Sequence, residues 1–263
     1  MLGSRSYLLN ITKIFKQHNY FIAMKKTLMN KEGNKFLVKD ISKDLHTKFG
    51  FFNKKDLDKK NTKIKSNTGK EFSVFTPSFI DIYRKIKRGA QVIPLKDIGL
   101  IVSETGINYE SKVVDAGAGS GAVCCFLANI AKEVITYEIR EDFIDIVKIN
   151  IKNLNLKNIK IKNKDIYEGI EEKNVDLIIL DLPSPWKALG SAEKALKVGG
   201  FLVSYSPTIP QVMDFVNAVK EKNFAYIKTS EIIEREWEVD ERKVRPKSQP
   251  MGHSGFLTFI RKI

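Results

Sequence analysis

The sequence contains little cysteine and histidine and no long apolar run. Its 263 residues include two cysteines and three histidines. The cysteines, Cys124 and Cys125, are adjacent, and such a pair alone cannot form a disulfide framework or a metal site. We therefore expect buried, reduced thiols, a cytoplasmic protein and no metal. No stretch comes near the ~18 consecutive apolar residues of a membrane-spanning helix, so no membrane association is expected.

What the chain does contain is apolar material for a core and an excess of positive charge. Hydrophobic residues make up 43%, and 45 Lys and Arg outnumber 31 Asp and Glu, for a net charge of +14. Residues 1–110 hold 22 of the basic and only 10 of the acidic side chains. A generally Lys-rich composition explains the lysine count but not this asymmetry. The clustered charge favours a polyanionic partner such as nucleic acid.

The first third of the chain divides into three predicted segments. Residues 1–23 fit poorly with the rest of the chain, and Met24 begins a Lys-rich segment typical of a protein start. We predict that residues 1–33 are an extension, disordered or produced by a misassigned start. Short alternating segments in residues 34–77 predict a small antiparallel β domain. A helical period over residues 78–88 ends in a basic patch of four residues, Arg84, Lys85, Lys87 and Arg88.

From residue 95 onward, apolar strand candidates alternate with helical patterns, and residues 78–263 are predicted to form one domain. The strands are predicted at 112–116, 134–138, 159–162, 175–182 and 201–205, and the helices at 120–131, 140–154, 186–196 and 210–222. This order predicts an α/β fold with a parallel, doubly wound sheet that binds ligands at the carboxyl ends of its strands. Two long strands, 226–237 and 255–261, are expected to form an antiparallel edge.

A glycine turn follows the first strand of this domain. Asp115, Gly117, Gly119 and Gly121 form a D-x-G-x-G-x-G pattern between a strand and a helix. Glycines permit a tight turn and close approach of a ligand, and the helix N-terminus offers free N–H groups. Gly117, Gly119 and Ala122 also satisfy the dinucleotide pattern G-x-G-x-x-A. The turn therefore leaves both NAD and S-adenosylmethionine open.

Two further acidic residues end the next two strands. Glu138 lies 23 positions after Asp115, where a carboxylate can accept hydrogen bonds from both ribose hydroxyls. Asp165 follows the third strand, where its side chain can contact the amino group of an adenine. The alternative for Asp165 is a helix or turn cap.

The fourth strand ends in an unusual loop, Asp181-Leu-Pro-Ser-Pro-Trp186. Pro183 and Pro185 stiffen it, and Trp186 offers a flat face for stacking on a base or for packing the next helix. The loop resembles the (D/N)-P-P-(Y/F/W) loops of methyltransferases that act on amino or ring nitrogens of bases. An NAD-dependent dehydrogenase needs no such loop, which favours a methyltransferase.

Seven stretches in order resemble the tRNA (adenine-N1)-methyltransferase family. They are 84–97, 113–123, 137–143, 164–172, 176–186, 197–212 and 245–262. The resemblance implies a Rossmann-like S-adenosylmethionine-dependent fold with a small N-terminal β domain that contacts tRNA, and a homotetramer. It also implies methylation of N1 of adenosine 58 in the tRNA T loop, and it leaves open whether adenosine 57, a second target of some archaeal members, is modified as well.

The resemblance also implies roles for individual residues. Asp181 is the expected catalytic acidic residue, and Gln91 is expected near the cofactor and the target base. Glu138 is expected to bind the ribose with Phe143 nearby. The expected methionine contacts are Ser120, Gly121, Ala122 and Val123, and the expected adenine pocket is Asp165, Ile166 and Tyr167.

One position departs from the family pattern. The family has Tyr or His before Pro-Lys-Asp, whereas this chain has Pro94 followed by Leu95. The aromatic side chain expected near the target adenine is therefore missing, and Trp186 or Tyr205 is the candidate replacement, with Pro185 beside it. Three other functions stay open: a Rossmann methyltransferase acting on a corrinoid precursor or a protein, a non-catalytic tRNA-binding subunit, and an NAD-dependent dehydrogenase.

Overall fold

The computed structural model describes residues 26–58, 62–89, 91–249 and 251–263. The expectation that residues 1–23 are an extension lies outside these ranges. The described residues divide into two compact units, with the boundary between Lys85 and Ile86. No helix in the described ranges is long and apolar enough to cross a bilayer.

The first unit is a small antiparallel β structure. Its strands are β1 (Lys26–Met29), β2 (Lys35–Val38), β3 (Leu45–Thr47), β4 (Gly50–Phe52), β5 (Lys63–Lys65) and β6 (Glu71–Phe75), with helices α1 (Lys54–Asp58) and α2 (Phe79–Tyr83). Four strands form a sheet in the order β2-β1-β6-β5, and β3 pairs with β4. Alternate residues of β6 are buried, as a half-exposed strand requires. Phe52 and Phe72 meet edge to face in its core, with ring centroids 5.1 Å apart.

Two boundaries of this unit differ from the sequence prediction. Lys26–Met29, placed by prediction in the extension, is a strand that pairs with both β2 and β6. The helix predicted over 78–88 ends at Tyr83. The backbone amide and carbonyl of Lys87 bond instead to the side chain of Asn150, which removes them from a helical ladder.

The second unit is built on a seven-stranded sheet. Its strands are β7 (Lys112–Ala116), β8 (Glu133–Tyr137), β9 (Ile159–Lys162), β10 (Val175–Leu180), β11 (Leu196–Ser206), β12 (Phe224–Ser230) and β15 (Phe256–Lys262), in the order β12-β15-β11-β10-β7-β8-β9. The five strands from β11 to β9 are parallel to their neighbours, and β15 is antiparallel to β11 and β12. The chain runs outward from β7 in both directions, which creates a crevice at the carboxyl ends of β7 and β10.

Helices cover this sheet, and a hairpin follows β12. The helices are α3 (Leu95–Thr105), α4 (Ala122–Ala128), α5 (Glu141–Leu154), α6 (Leu189–Ala195) and α7 (Ile209–Val219), with single 3-10 turns at Ile166–Glu168 and Pro185–Ala188, and the hairpin strands are β13 (Trp237–Asp240) and β14 (Lys243–Pro246). Cys124 and Cys125 are buried free thiols in α4, as expected. The prediction of a long strand over 226–237 was wrong. The strand ends at Ser230, whose partner Leu257 lies beside the first residue of β15.

Candidate active site

The glycine turn connects β7 to α4 through three residues with positive φ. The φ angles are 85° at Gly117, 51° at Gly119 and 74° at Gly121, a region that side chains other than glycine rarely adopt. A Cβ on Gly117 would collide with the backbone carbonyl of Asp181. The turn therefore lies directly against the end of β10, and the amide of Asp181 donates to the carbonyl of Ala116 at 2.9 Å.

A cavity of about 400 Å³ opens between this turn and the loops after β8, β9 and β10. Nine of the predicted site residues line it: Gln91, Gly117, Gly119, Glu138, Phe143, Asp165, Ile166, Tyr167 and Asp181. Six others that sequence reasoning missed also line it: Tyr137, Ile139, Arg140, Lys164, Leu182 and Pro183. Each of these six is next to a predicted site residue or next to another of the six. Their position in the chain beside the predicted residues could therefore have identified them from the sequence.

Glu138 joins the turn to the loop after β8. One carboxylate oxygen accepts the Gly119 amide at 2.9 Å, and the other accepts the amides of Ile139 and Arg140 at 2.9 and 3.0 Å. A carboxylate has about four acceptor sites, so at least one faces no backbone donor. Glu138 is thus fixed in place and still able to accept a hydrogen bond from a ligand.

The loop after β9 forms one wall of the cavity, and it contains a residue that also caps a 3-10 turn. Asp165 accepts the Tyr167 amide at 2.9 Å, so it caps the 3-10 turn and also lines the cavity. The Tyr167 hydroxyl accepts the Ser184 amide at 3.2 Å, and burial raises the pKa of this phenol. On the opposite wall, the Arg140 guanidinium lies 4.0 Å from the ring centroid of Phe143, a cation–π contact.

Asp115 and Asp181 are two carboxyls with altered acidity. Asp115 lies beneath the turn, outside the cavity lining, and accepts the Thr136 hydroxyl at 2.8 Å. Burial raises the pKa of Asp115 to about 7. The Thr136 hydrogen bond lowers this pKa, and the negative charges of Asp181 and Glu138 raise it further. Burial alone raises the pKa of Asp181 to about 6. The described part of the chain provides no hydrogen-bond donor to the Asp181 carboxylate.

The four predicted methionine contacts lie at the end of the glycine turn and the start of α4, and none of them lines the cavity. Ser120 is buried and its hydroxyl accepts the Gly89 amide at 2.9 Å. Gly121 caps α4, and Ala122 and Val123 are buried in its first turn. Their roles toward a ligand stay predictions.

The predicted substrate contacts are placed outside the cavity lining. Pro185 is buried, and Trp186 is half-buried and packs against the hydrophobic core of the second unit. Tyr205 is buried, and its hydroxyl donates to the carbonyl of Ser254 at 2.5 Å. Arg84, Lys85, Lys87 and Arg88 are all exposed. Within the described ranges, no three His, Cys, Asp or Glu side chains cluster as metal ligands do.

The family described as "tRNA methyltransferase complex GCD14 subunit" matches residues 76–249. The chain belongs to this family. It is 35% identical to the tRNA (adenine(57)-N(1)/adenine(58)-N(1))-methyltransferase TrmI of Methanocaldococcus jannaschii, across 90% of this chain and 94% of that one. It is 33% identical to the tRNA (adenine(58)-N(1))-methyltransferase TrmI of Thermus thermophilus, across 76% of this chain and 80% of that one.

Two solved structures agree with the family assignment in fold. A SAM-dependent O-methyltransferase from Thermotoga maritima aligns with a TM-score of 0.83 at 30% identity, over 92% of this chain and 94% of that one. The tRNA (m1A58) methyltransferase TrmI from Aquifex aeolicus aligns with a TM-score of 0.77 at 27% identity, over 91% of this chain and 96% of that one. The two names describe different chemistries on one fold, so the fold by itself does not select the acceptor atom.

Proposed function

We propose that this chain transfers a methyl group from S-adenosylmethionine to N1 of an adenosine in the T loop of tRNA, at position 58 and also at position 57. The observation that carries the proposal is the Asp181 carboxylate on the cavity wall, to which the described residues donate no hydrogen bond. The family match and the activities named for the TrmI relatives support tRNA as the substrate.

The residues of the cavity fit S-adenosylmethionine better than NAD. Asp115, Glu138 and Asp181 lie close enough for the other two charges to raise the pKa of Asp115. This acidic cluster at a helix N-terminus would repel the pyrophosphate of a dinucleotide, whereas it suits a positively charged sulfur. The cavity volume of about 400 Å³ is within the range of small-ligand sites.

The cavity walls suggest how the cofactor is held. Glu138 would accept hydrogen bonds from the ribose, and Asp165 would accept one from the adenine amino group through the carboxylate oxygen that does not bond to the Tyr167 amide. Phe143 and Tyr137 supply apolar surface beside them. When bound, S-adenosylmethionine supplies a methyl carbon made electrophilic by its cationic sulfur.

Asp181 acts on the target base. N1 of neutral adenine already carries a lone pair, so no strong base is needed, and most of the acceleration comes from holding N1 in line with the methyl carbon. Positive charge then develops on the adenine ring. Asp181 accepts a hydrogen bond from the exocyclic amino group and stabilises that charge. Exposing a stacked T-loop adenosine costs a few kcal/mol, which contacts between basic residues and phosphates offset.

We further infer a homotetramer in the cytoplasm. The hairpin of β13 and β14 leaves Trp237, Val239 and Val244 exposed, and such apolar surface suits contact with another copy. The two buried free thiols fit a reducing compartment. Light scattering coupled to size-exclusion chromatography measures the assembly directly.

The test is mass spectrometry of nucleosides from a tRNA transcript incubated with the protein and S-adenosylmethionine. We expect 1-methyladenosine, lost when adenosines 57 and 58 are both replaced by guanosine. Transcripts with one adenosine replaced assign the positions. Absence of methylated nucleoside from every transcript, or methyl transfer only to a corrinoid precursor or a protein, would refute the proposal.

A further inference from the structure

A short segment joins exposed basic residues to the cavity. Lys87 and Arg88 are exposed, and Gln91 lines the cavity three positions later. The backbone of this segment is tied to the glycine turn: the Gly89 amide donates to the Ser120 hydroxyl at 2.9 Å. A Cβ on Gly89 would meet Ile146 and Phe143 of α5, so the segment also packs closely on that helix.

The side chain of Asn150, in α5, makes a second and stronger connection between the basic residues and the glycine turn. This side chain is fully buried. Its Nδ2 donates to the carbonyls of Lys87 and Ser120, both at 2.8 Å, and its Oδ1 accepts the Lys87 amide at 2.8 Å. Both N–H groups of the amide are therefore used, and one side chain joins the basic segment to the turn that forms the cofactor site.

We propose that Asn150 is a positioning residue that couples tRNA binding to cofactor binding. The inference rests on the proposed function, because it requires Lys87 and Arg88 to contact tRNA and the cavity to hold S-adenosylmethionine. A phosphate held by Lys87 or Arg88 fixes the backbone from Lys87 to Gly89. Through Asn150 and the Gly89–Ser120 bond, the same contact fixes the glycine turn. Coupling between two binding sites is reciprocal, so cofactor binding also favours tRNA binding.

Asn150→Leu tests this tie because leucine is close in size but makes no hydrogen bond. It leaves two carbonyls and one amide without their partner, which also destabilises the fold. The matched control is Asn158→Leu. Asn158 directly precedes β9, at the amino end of that strand, and donates to the carbonyls of Ala128 and Ala131 at 2.8 and 2.9 Å. Loss of stability without loss of coupling is the expected result for the control.

The probe is S-adenosylhomocysteine, which does not react, titrated calorimetrically with and without an unmodified tRNA transcript. We expect tRNA to tighten its binding to the wild-type protein about tenfold, a usual size for coupling between sites. Asn150→Leu removes most of that factor, and Asn158→Leu keeps it. Hydrogen exchange at the amides of Lys87 and Gly89 is expected to accelerate in Asn150→Leu alone.

A second variant covers the case in which Asn150→Leu fails to fold. Ser120→Ala keeps Asn150 but removes the hydroxyl that accepts the Gly89 amide, and it is expected to reduce the coupling as well. A folded Asn150→Leu or Ser120→Ala protein that retains the full tenfold factor overturns the inference. So does a wild-type protein that binds both ligands independently, which leaves the proposed function intact. Failure of the wild-type protein to bind either ligand overturns both.

Discussion

The two acidic walls of the cavity use the same functional group in opposite ways. Glu138 accepts three backbone amides, whereas the Asp181 carboxylate receives no donor from the described residues and has its pKa raised to about 6. A carboxylate satisfied by the backbone is a rigid support for a ligand. A carboxylate buried without donors gains the most when a substrate brings one. The first wall is therefore suited to holding the cofactor, and the second to acting on the target base.

The sharpest test of this contrast is Asp181→Ala. We expect kcat for tRNA methylation to fall by about 10²–10³-fold, the usual cost of removing one group that stabilises developing charge. Affinity for S-adenosylhomocysteine is expected to stay unchanged, as measured by calorimetry. Asp176→Ala, at the other end of β10, is the control and is expected to keep its turnover. Near-normal kcat in Asp181→Ala would remove the role assigned to this residue.

For Glu138→Gln we expect the reverse: weaker binding of the cofactor with a smaller effect on kcat. The new Nε2 would oppose the Gly119 amide, and a buried donor left without its acceptor costs about 1–3 kcal/mol. S-adenosylhomocysteine should bind about tenfold more weakly, with a smaller effect on kcat at saturating cofactor. Glu141→Gln, an exposed change in the first turn of α5, serves as the control. Unchanged affinity in Glu138→Gln would show that the two walls do not differ in this way.

The basic segment gives a third way to separate the two functions. The double variant Lys87→Glu with Arg88→Glu should weaken tRNA binding and lower the slope of log affinity against log salt by about 0.7–0.9 per lost phosphate contact. Affinity for S-adenosylhomocysteine alone should be unchanged. The exposed pair Lys220→Glu with Lys222→Glu makes the same change in charge as a control. Equal salt slopes in all three proteins would mean that Lys87 and Arg88 do not contact phosphate.

The smallest expected effect concerns Asp115 and stability without cofactor. The folded pKa of about 7 lies above the usual value of 3.8, so between these pH values the folded state binds a proton that the unfolded state does not. Stability from this group is therefore lost as pH rises toward 7. Asp115→Asn keeps an acceptor for Thr136 and cannot ionise. We expect its Tm to exceed the wild-type Tm at both pH values, and by a few degrees more at pH 8 than at pH 5, because the unfolded carboxyl is already largely ionised at pH 5.

The control for that experiment is a carboxyl whose pKa is lowered in the folded state and not raised. Asp142 is exposed, and its hydrogen bond with Arg140 lowers the pKa of its carboxyl. Its contribution to stability is present at pH 5 and pH 8 alike and is lost only in strong acid. Asp142→Asn should therefore not raise Tm at pH 8. An equal rise in Tm for Asp115→Asn at both pH values would indicate better packing and not the removal of a buried charge.

The prediction from sequence was most accurate where local pattern and tertiary structure agree. β7 and β9 have the predicted bounds, because buried parallel strands are apolar runs punctuated by loops. Helix α3, Leu95–Thr105, was not predicted, since Gly99 interrupts its period and no polar cap precedes it. The hairpin Trp237–Pro246 was not predicted either. Its turn places Glu241 at a φ of 48°, where glycine or asparagine is the usual signal.

The sequence by itself determined the parallel sheet, the glycine turn and the acidic residues that end its strands, because these depend on residues that are neighbours in the chain. The tertiary structure decided which of those acids faces the cavity. Ile179 pairs with Asp115 across the sheet, so Asp181 emerges beside Gly117 while Asp115 remains beneath the turn. It also decided the role of Asn150, whose partners lie 63 and 30 positions away. Contacts of that range are fixed by how the elements pack, and no local pattern in the sequence carries them.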